Sequence, residues 1–254
     1  MTAGVNLLNP SIMNNIYEPD YVKKLFDQMS GSYERMNYVT SFGYSIRWRK
    51  QMLQKLGQSD QPLKVLDLLS GLGENWVYLK QHFPNAHFFA LDFSEGMMAR
   101  AQRKAQKVFK GNLNHYCEDV LYNELPDAHF DIISCAFGLK TFNPEQLHIL
   151  AGQINRLLKP GGKFCFIEVS KPTPSLLQAG YRFYLGKMIP VIGKLFLGNP
   201  DDYKMLWIYT RQFENSKQVK EIFTRQGLEV NYDQYLFGCA TGISGVKTKG
   251  QVLL

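Results

Sequence analysis

Cysteine is scarce in this 254-residue chain: Cys117, Cys135, Cys165 and Cys239 are widely spaced, with no CxxC pair and no histidine at zinc-ligand spacing. That pattern argues against a zinc site and a disulfide framework, and the four read as buried thiols in a reducing compartment. No apolar run approaches the roughly 18 residues of a membrane span. A soluble protein is expected, peripheral to a membrane at most. The start, MTAGVNLLNPSIMNN, has no basic residue and no unbroken apolar core, so neither a secretory signal nor a transit peptide is read there and a cytoplasmic address is expected. Zinc-finger and RNA-recognition signatures are absent, as are internal repeats, low-complexity tracts and domain linkers. Charge is sparse at 20%, with a net +7. Much of the excess, such as Arg100, Arg103, Lys104, Lys107 and Lys110, lies around one predicted helix end and reads as a solvated face. No nucleic-acid role is expected, although the charge eases approach to an anionic membrane surface.

What is present is one core's worth of apolar sequence, 45% hydrophobic, in a regular alternation. Strands are predicted at LKVLDLL (63–69), AHFFALD (86–92), NHYCED, FDIISCAF (130–137) and KFCFIEV (163–169), with helical patterns between them. Ser94 is placed to cap one helix, and Asn143-Pro144-Glu145-Gln146 supplies a cap, a first-turn proline and a capping-box Gln for another. Lys159-Pro160-Gly161-Gly162 ends that helix. LEVNYDQYLF and CATGISGVK predict a closing antiparallel hairpin. Residues 19–57 suggest two helices around an aromatic-rich connection, and the aromatic, apolar stretch 173–215 lies where a lid would be inserted. The whole chain, 1–254, reads as a single domain.

In such a sheet, ligands sit beyond the carboxyl ends of the strands where the strand order reverses. The turn Ser70-Gly71-Leu72-Gly73 follows the first strand, and glycines there let backbone approach a ligand at a helix N-terminus. Asp92 ends the second strand 21 residues after Gly71, where a carboxylate can accept ribose hydroxyls. A dinucleotide fingerprint requires a third glycine, but Trp76 occupies that position and disfavours NAD. An acidic residue near the loop, Asp67 or Glu74, suits the ammonium of a methionine moiety, so S-adenosyl-L-methionine is the expected cofactor. Asp119 is placed for the adenine amino group and Val120 for a ring nitrogen; Asp119 alone would equally cap the next loop. No metal is expected.

At this point the chain resembles the ubiquinone and menaquinone biosynthesis C-methyltransferases, the UbiE-type family, over about residues 21–247. FDQMSGSYERMNYVTSFGYSIRWRK, VLDLLSGLGEN, LDFSEGMMARAQRK, FDIISCAFGLKTF, LLKPGGKFCFIEVSKP and NPDDYKMLWIYTRQF carry the resemblance in order and spacing. It implies an α/β class I methyltransferase fold, a Rossmann-like, mostly parallel sheet with an antiparallel C-terminal hairpin and a helical lid insertion. It also implies that Tyr33, Phe93 and Ala136 join the cofactor site, that Phe137 packs there, and that Asp201 and Tyr203 reach the acceptor. The acceptor implied is an aromatic, apolar small molecule of quinol or phenol type, prenylated in this family, and the lid's mixture of aromatics with Arg182, Lys187 and Lys194 suits a membrane surface. A homodimer is compatible with this reading.

The chain departs from the family pattern at Leu72, Glu74 and Ala136, and Lys140-Thr141 stands where the family carries Arg-Asn. Lys140 is the candidate for stabilising a phenolate or taking its proton, beside the plainer reading of a solvated loop lysine. Glu168 reads as the site's floor or as half of a structural salt bridge. Two rivals remain: a methyltransferase acting on oxygen or nitrogen of another small molecule, and a non-catalytic paralogue. Binding of S-adenosylmethionine separates the second from an enzyme, and the position of a labelled methyl separates the first.

Overall fold

The computed structural model describes residues 16–184 and 200–249, and within these the side chains of 176, 179, 181, 182, 200–204 and 207 are left aside. Three helices, α1 (Pro19–Met29), α2 (Tyr33–Thr40) and α3 (Tyr44–Leu53), precede the sheet. The expected aromatic connection between two helices is thus itself helical, α2. Beyond them run β1 (Lys64–Leu68), α4 (Trp76–His82), β2 (His87–Leu91), α5 (Glu95–Phe109), β3 (Leu113–Tyr116), β4 (Phe130–Ala136), α6 (Pro144–Leu157) and β5 (Leu158–Val169). After β5 come α7 (Ser175–Phe183), α8 (Pro200–Phe213), α9 (Lys217–Arg225), β6 (Leu228–Tyr235) and β7 (Ala240–Lys247). Helix α9 was not expected from the sequence: its short apolar set, Val219, Ile222 and Phe223, is flanked by charges and resembles a solvated segment until it packs on the sheet.

The caps behave as their residue types dictate. Ser94 Oγ accepts from Met97 N at 3.1 Å, and Asn143 and Gln146 form a reciprocal capping box. The seven strands lie in the order β3-β2-β1-β4-β5-β7-β6, with β5–β7 and β6–β7 antiparallel and the other pairs parallel. Successive residues point to opposite faces, and both faces are covered. Leu66, Ile133, Phe164 and Phe166 pack with α6 and α9, whereas Val65, Ile132 and Cys165 pack with α3, α4 and α5. Of the four thiols expected to be buried, Cys117 is exposed, because it lies just past the end of β3.

A third apolar cluster caps the carboxyl ends of the strands. Val22, Leu25, Met29, Tyr33 and Met36 meet Met97 and Tyr209 there, and Leu72 of the glycine turn joins them. Leu72, one of the departures from the family pattern, is therefore a packing contact. Asp27 fastens the cap to α5 by accepting from Ser94 Oγ (2.6 Å) and Gly96 N (2.9 Å), and the Tyr209 hydroxyl of α8 donates to the Ile16 carbonyl.

The hairpin end of the sheet depends on close backbone approach. A Cβ on Gly242 would lie 2.1 Å from the Phe166 carbonyl oxygen, inside the β5–β7 ladder. Gly242→Ala should therefore cost about 2–4 kcal/mol in urea denaturation, with β5 and β7 forced apart. An unchanged midpoint would show that the two strands have room to spare.

Candidate active site

Sheet order reverses between β1 and β4, and a cleft with about 820 Å³ of empty space, its mouth included, opens above them. It is lined by the glycine turn, by Asp92 and Phe93 after β2, by Asp119 and Val120 after β3, and by Ala136 and Phe137 at the end of β4. Tyr33, Val22 and Phe26 of the helical cap close it from above. Tyr33, Gly71, Asp92, Phe93, Asp119, Val120 and Ala136, all expected at the cofactor, are thus brought to one cleft.

Asp92 organises this cleft. One carboxylate oxygen accepts from Gly71 N and the other from Ser94 N, each at 2.8 Å, so both stay oriented while keeping lone pairs for a ligand. Gly71 has φ +52 and nothing within 4 Å of where a Cβ would stand, so any side chain there is both strained and intrusive. Gly73 is constrained differently. Its φ is +69, and a Cβ would fall 2.3 Å from the Trp76 ring, so packing alone already excludes a side chain there. Asp119 Oδ1 accepts from Leu121 N at 2.9 Å, capping a short 3-10 turn while still lining the cleft.

Asp67, also expected at the cofactor, lies apart from these residues. It does not line the cleft; it is buried beneath the turn, where Oδ1 accepts from Asn75 Nδ2 (3.0 Å) and Ser134 Oγ (2.7 Å). Glu74, the other acidic residue near the turn, does line the cleft and is paired with Arg49 at 2.8 Å. Sequence reasoning missed Arg49, whose guanidinium also sits 4.6 Å above the Phe137 ring. A lone Trp-Arg in a helix carries no signal of what the arginine faces.

Burial pushes the carboxyls of both Asp67 and Asp92 up to about 6, against the hydrogen bonds that favour their charged forms. The native protein therefore holds protons below pH 6 that the unfolded chain has already released. These two groups lower stability as the pH rises through that window. Burial likewise raises Tyr33, whose hydroxyl stays neutral.

A second, more apolar cavity, with about 1330 Å³ of empty space including its mouth, adjoins the first. Tyr33 and Phe137 line both. Phe137 holds φ +69, a left-handed conformation sparse for non-glycine residues, and its N–H donates to the Ile167 carbonyl at 2.8 Å. Lys140 also lines this cavity and is not a solvated loop lysine. Its Nζ lies 2.7 Å from Glu168 Oε1 and its backbone N 3.1 Å from Glu168 Oε2, so the two form a buried ion pair. Asp201 and Tyr203 fall in the first turn of α8, and their side chains lie outside the described residues. No cluster of His, Cys, Asp and Glu suited to a metal occurs among the described residues.

Residues 13–247 match the ubiE/COQ5 methyltransferase family. Similar curated proteins include the demethylmenaquinone methyltransferase of Thermus thermophilus, 30% identical over 217 residues that cover 85% of this chain and 96% of that protein. That of Lactiplantibacillus plantarum is 31% identical over 236 residues, covering 89% and 95%. Among solved structures, a Thermotoga maritima SAM-dependent methyltransferase superposes with a TM-score of 0.61 at 16% identity, covering 89% of this chain and 99% of that one. A Haemonchus contortus phosphoethanolamine N-methyltransferase solved with S-adenosyl-L-methionine gives 0.56 at 15% identity, covering 92% and 59%.

The cleft fits that cofactor: a carboxylate with free lone pairs, an open glycine and the strand-end acceptors lie in one row. Asp92→Asn should weaken S-adenosylmethionine binding by about 1.5–3 kcal/mol in titration calorimetry, and wild-type affinity should fall as the pH drops through 6. Asp67→Asn should leave affinity within about twofold while stabilising the protein near neutral pH, since it removes a buried charge. Equal losses of affinity from both would return Asp67 to the binding site.

Proposed function

The chain belongs to the ubiE/COQ5 methyltransferase family and is an S-adenosylmethionine-dependent methyltransferase, and from that premise we propose that it methylates a ring carbon of a quinol bearing an apolar tail. The observation that carries this reading is the apolar cavity joined to the cofactor cleft at Tyr33 and Phe137, with Lys140 in its wall. The names of the curated relatives point to the same class of acceptor.

When bound, S-adenosylmethionine supplies an electrophilic methyl group on a sulfonium. The protein's task is to align donor and ring, exclude water and make the ring electron-rich. Asp92, Gly71, Asp119 and Val120 hold the adenosyl end, and the faces of Tyr33 and Phe137 suit a sulfonium's charge. A phenol titrating near pH 10 is mostly neutral at physiological pH. Ionisation of one ring hydroxyl raises electron density at the neighbouring carbon, and the Lys140 ammonium is the cation that would hold that oxygen as an anion. Glu168 accepts hydrogen bonds from Lys140 N, Lys140 Nζ and Val169 N, which fixes the lysine beside a carboxylate in apolar surroundings. Replacing the family's arginine by lysine exchanges a flat fork for a single compact charge. That change suits an acceptor touched at one oxygen.

The cavity's rim supports an apolar tail. Phe42 and Leu236 line it in left-handed conformations (φ +50 and +42), and Phe237 next to Leu236 has φ +54; Phe42 is 75% exposed and Phe237 68%. Exposed apolar residues in strained backbone suit contact with a lipid surface better than with water. Among the described residues no helix is long and apolar enough to cross a membrane, so such contact would be peripheral.

Lys140→Met should lower the methylation rate on a demethylated, prenylated quinol by about a hundredfold or more, with S-adenosylmethionine affinity nearly constant. Lys140→Arg, which restores the family's residue, should keep or raise that activity. A quinol lacking the tail should react with a raised KM. If neither variant differs from wild type on any quinol, Lys140 takes no part on the acceptor side.

A further inference from the structure

A quinol carries two ring oxygens, and with one assigned to Lys140 the partner of the other is to be found in the wall of the apolar cavity. The small hydroxyls there are spent within the protein. Those of Thr40, Ser41, Tyr184 and Thr210 donate to the carbonyls of Met36, Tyr38, Thr40 and Leu206, at 2.8, 3.3, 3.1 and 2.8 Å. Thr141, beside Lys140, donates to the Gly138 carbonyl at 2.8 Å and lines the cofactor cleft instead. Asn37 differs. It is the only carboxamide among the described residues that line the cavity, and its buried Nδ2 has no hydrogen-bond partner among them. The amide reaches toward the Tyr33 hydroxyl, one helical turn away in α2, without the geometry of a hydrogen bond. A buried donor left unpaired costs stability, and an apolar side chain of the same size would carry no such cost.

We infer that Asn37 recognises the second ring oxygen, Nδ2–H donating to it while Lys140 holds the first, and that the two together set which ring carbon is methylated. This role rests on the quinol reading above and adds a second point of contact to it. Asn37 and Lys140 line the same cavity, and each stands beside one of the two rings that border both cavities. Asn37 follows Tyr33 by one turn of α2, and Lys140 Nζ lies 3.2 Å from the Phe137 carbonyl oxygen. An acceptor ring held at one oxygen can turn about that contact and offer either neighbouring carbon to the methyl group. Two contacts stop the turn. A phenol without the second oxygen leaves Asn37 Nδ2 unpaired, so the cavity selects against it.

The test compares two acceptors with the same short isoprenoid tail, a demethylated quinol and the matching phenol that lacks the second hydroxyl. Each variant is read as a ratio to wild type on the same acceptor, so differences in intrinsic ring reactivity cancel. Asn37→Leu keeps nearly the volume of the carboxamide and removes the unpaired donor. It should lower kcat/KM on the quinol by about twentyfold, leave the phenol within about twofold, leave S-adenosylhomocysteine affinity unchanged in calorimetry and not lower Tm. NMR of the quinol product should then show the methyl on more than one ring carbon. Asn37→Ala should give the same ratios, which decides the matter if the branched leucine packs poorly. Lys140→Met should slow both acceptors, since both carry the first oxygen. Equal losses on the two acceptors from Asn37→Leu and Asn37→Ala would make Asn37 structural, and no loss on either would remove it from the acceptor site. If wild-type protein that binds the cofactor methylates neither acceptor, the quinol reading itself falls and the role of Asn37 with it.

Discussion

The carboxylate of Asp92 is the constraint on which the site depends. By accepting from Gly71 N and Ser94 N it ties the turn after β1 to the start of α5, so the first two crossover units of the sheet are fixed relative to each other at their ligand-facing ends. Asp27 accepts from Ser94 Oγ and Gly96 N one step further out, which brings the N-terminal helices onto the same point. A cleft built this way is ordered before a ligand arrives, and little ordering entropy is left to oppose binding. Burial holds Asp92 near the edge of ionisation, and hydrogen bonds from a ribose would favour the charged form.

Two ion pairs flank the wall between the cavities. Arg49–Glu74 lies on the cofactor side and Lys140–Glu168 lines the apolar side, with Phe137 between them. Each is net neutral, so the site offers local charge to ligands without a large isolated field in its interior. Phe137 keeps an unfavourable φ because the Ile167 carbonyl and Arg49 hold it there. Strain of this kind persists only where surroundings over-determine it, and here it sets the ring at the boundary of both cavities.

Much of this was legible in the sequence, for identifiable reasons. Strands buried on both faces announce themselves as β-branched and apolar runs, and the caps at Ser94 and Asn143 are chemical signals local to a few residues. Gly71, Asp92 and Asp119 could be placed because strand ends and one sheet topology decide where they converge. What escaped depends on tertiary contact. Asp67 and Glu74 flank the same turn, and nothing in their spacing tells which one turns inward to meet Ser134 and which one opens to the cleft. Arg49 comes from a helix before the sheet, and the pairing of Lys140, an acceptor-side candidate from the start, with Glu168 went unread because the two lie 28 positions apart on neighbouring elements. Helix α9 had too few apolar positions to stand out, yet Phe223 is fully buried against Phe164 and Phe166.

The central claim is that methyl transfer ends at carbon, in the apolar cavity beyond Phe137. The most direct measurement supplies S-adenosylmethionine carrying a 13C methyl group together with a demethylated, prenylated quinol, and locates the label by heteronuclear NMR of the product. The account predicts a methyl carbon bonded to a ring carbon next to a hydroxyl-bearing one. A label found on oxygen, or no transfer to any quinol by protein that binds the cofactor, would contradict it.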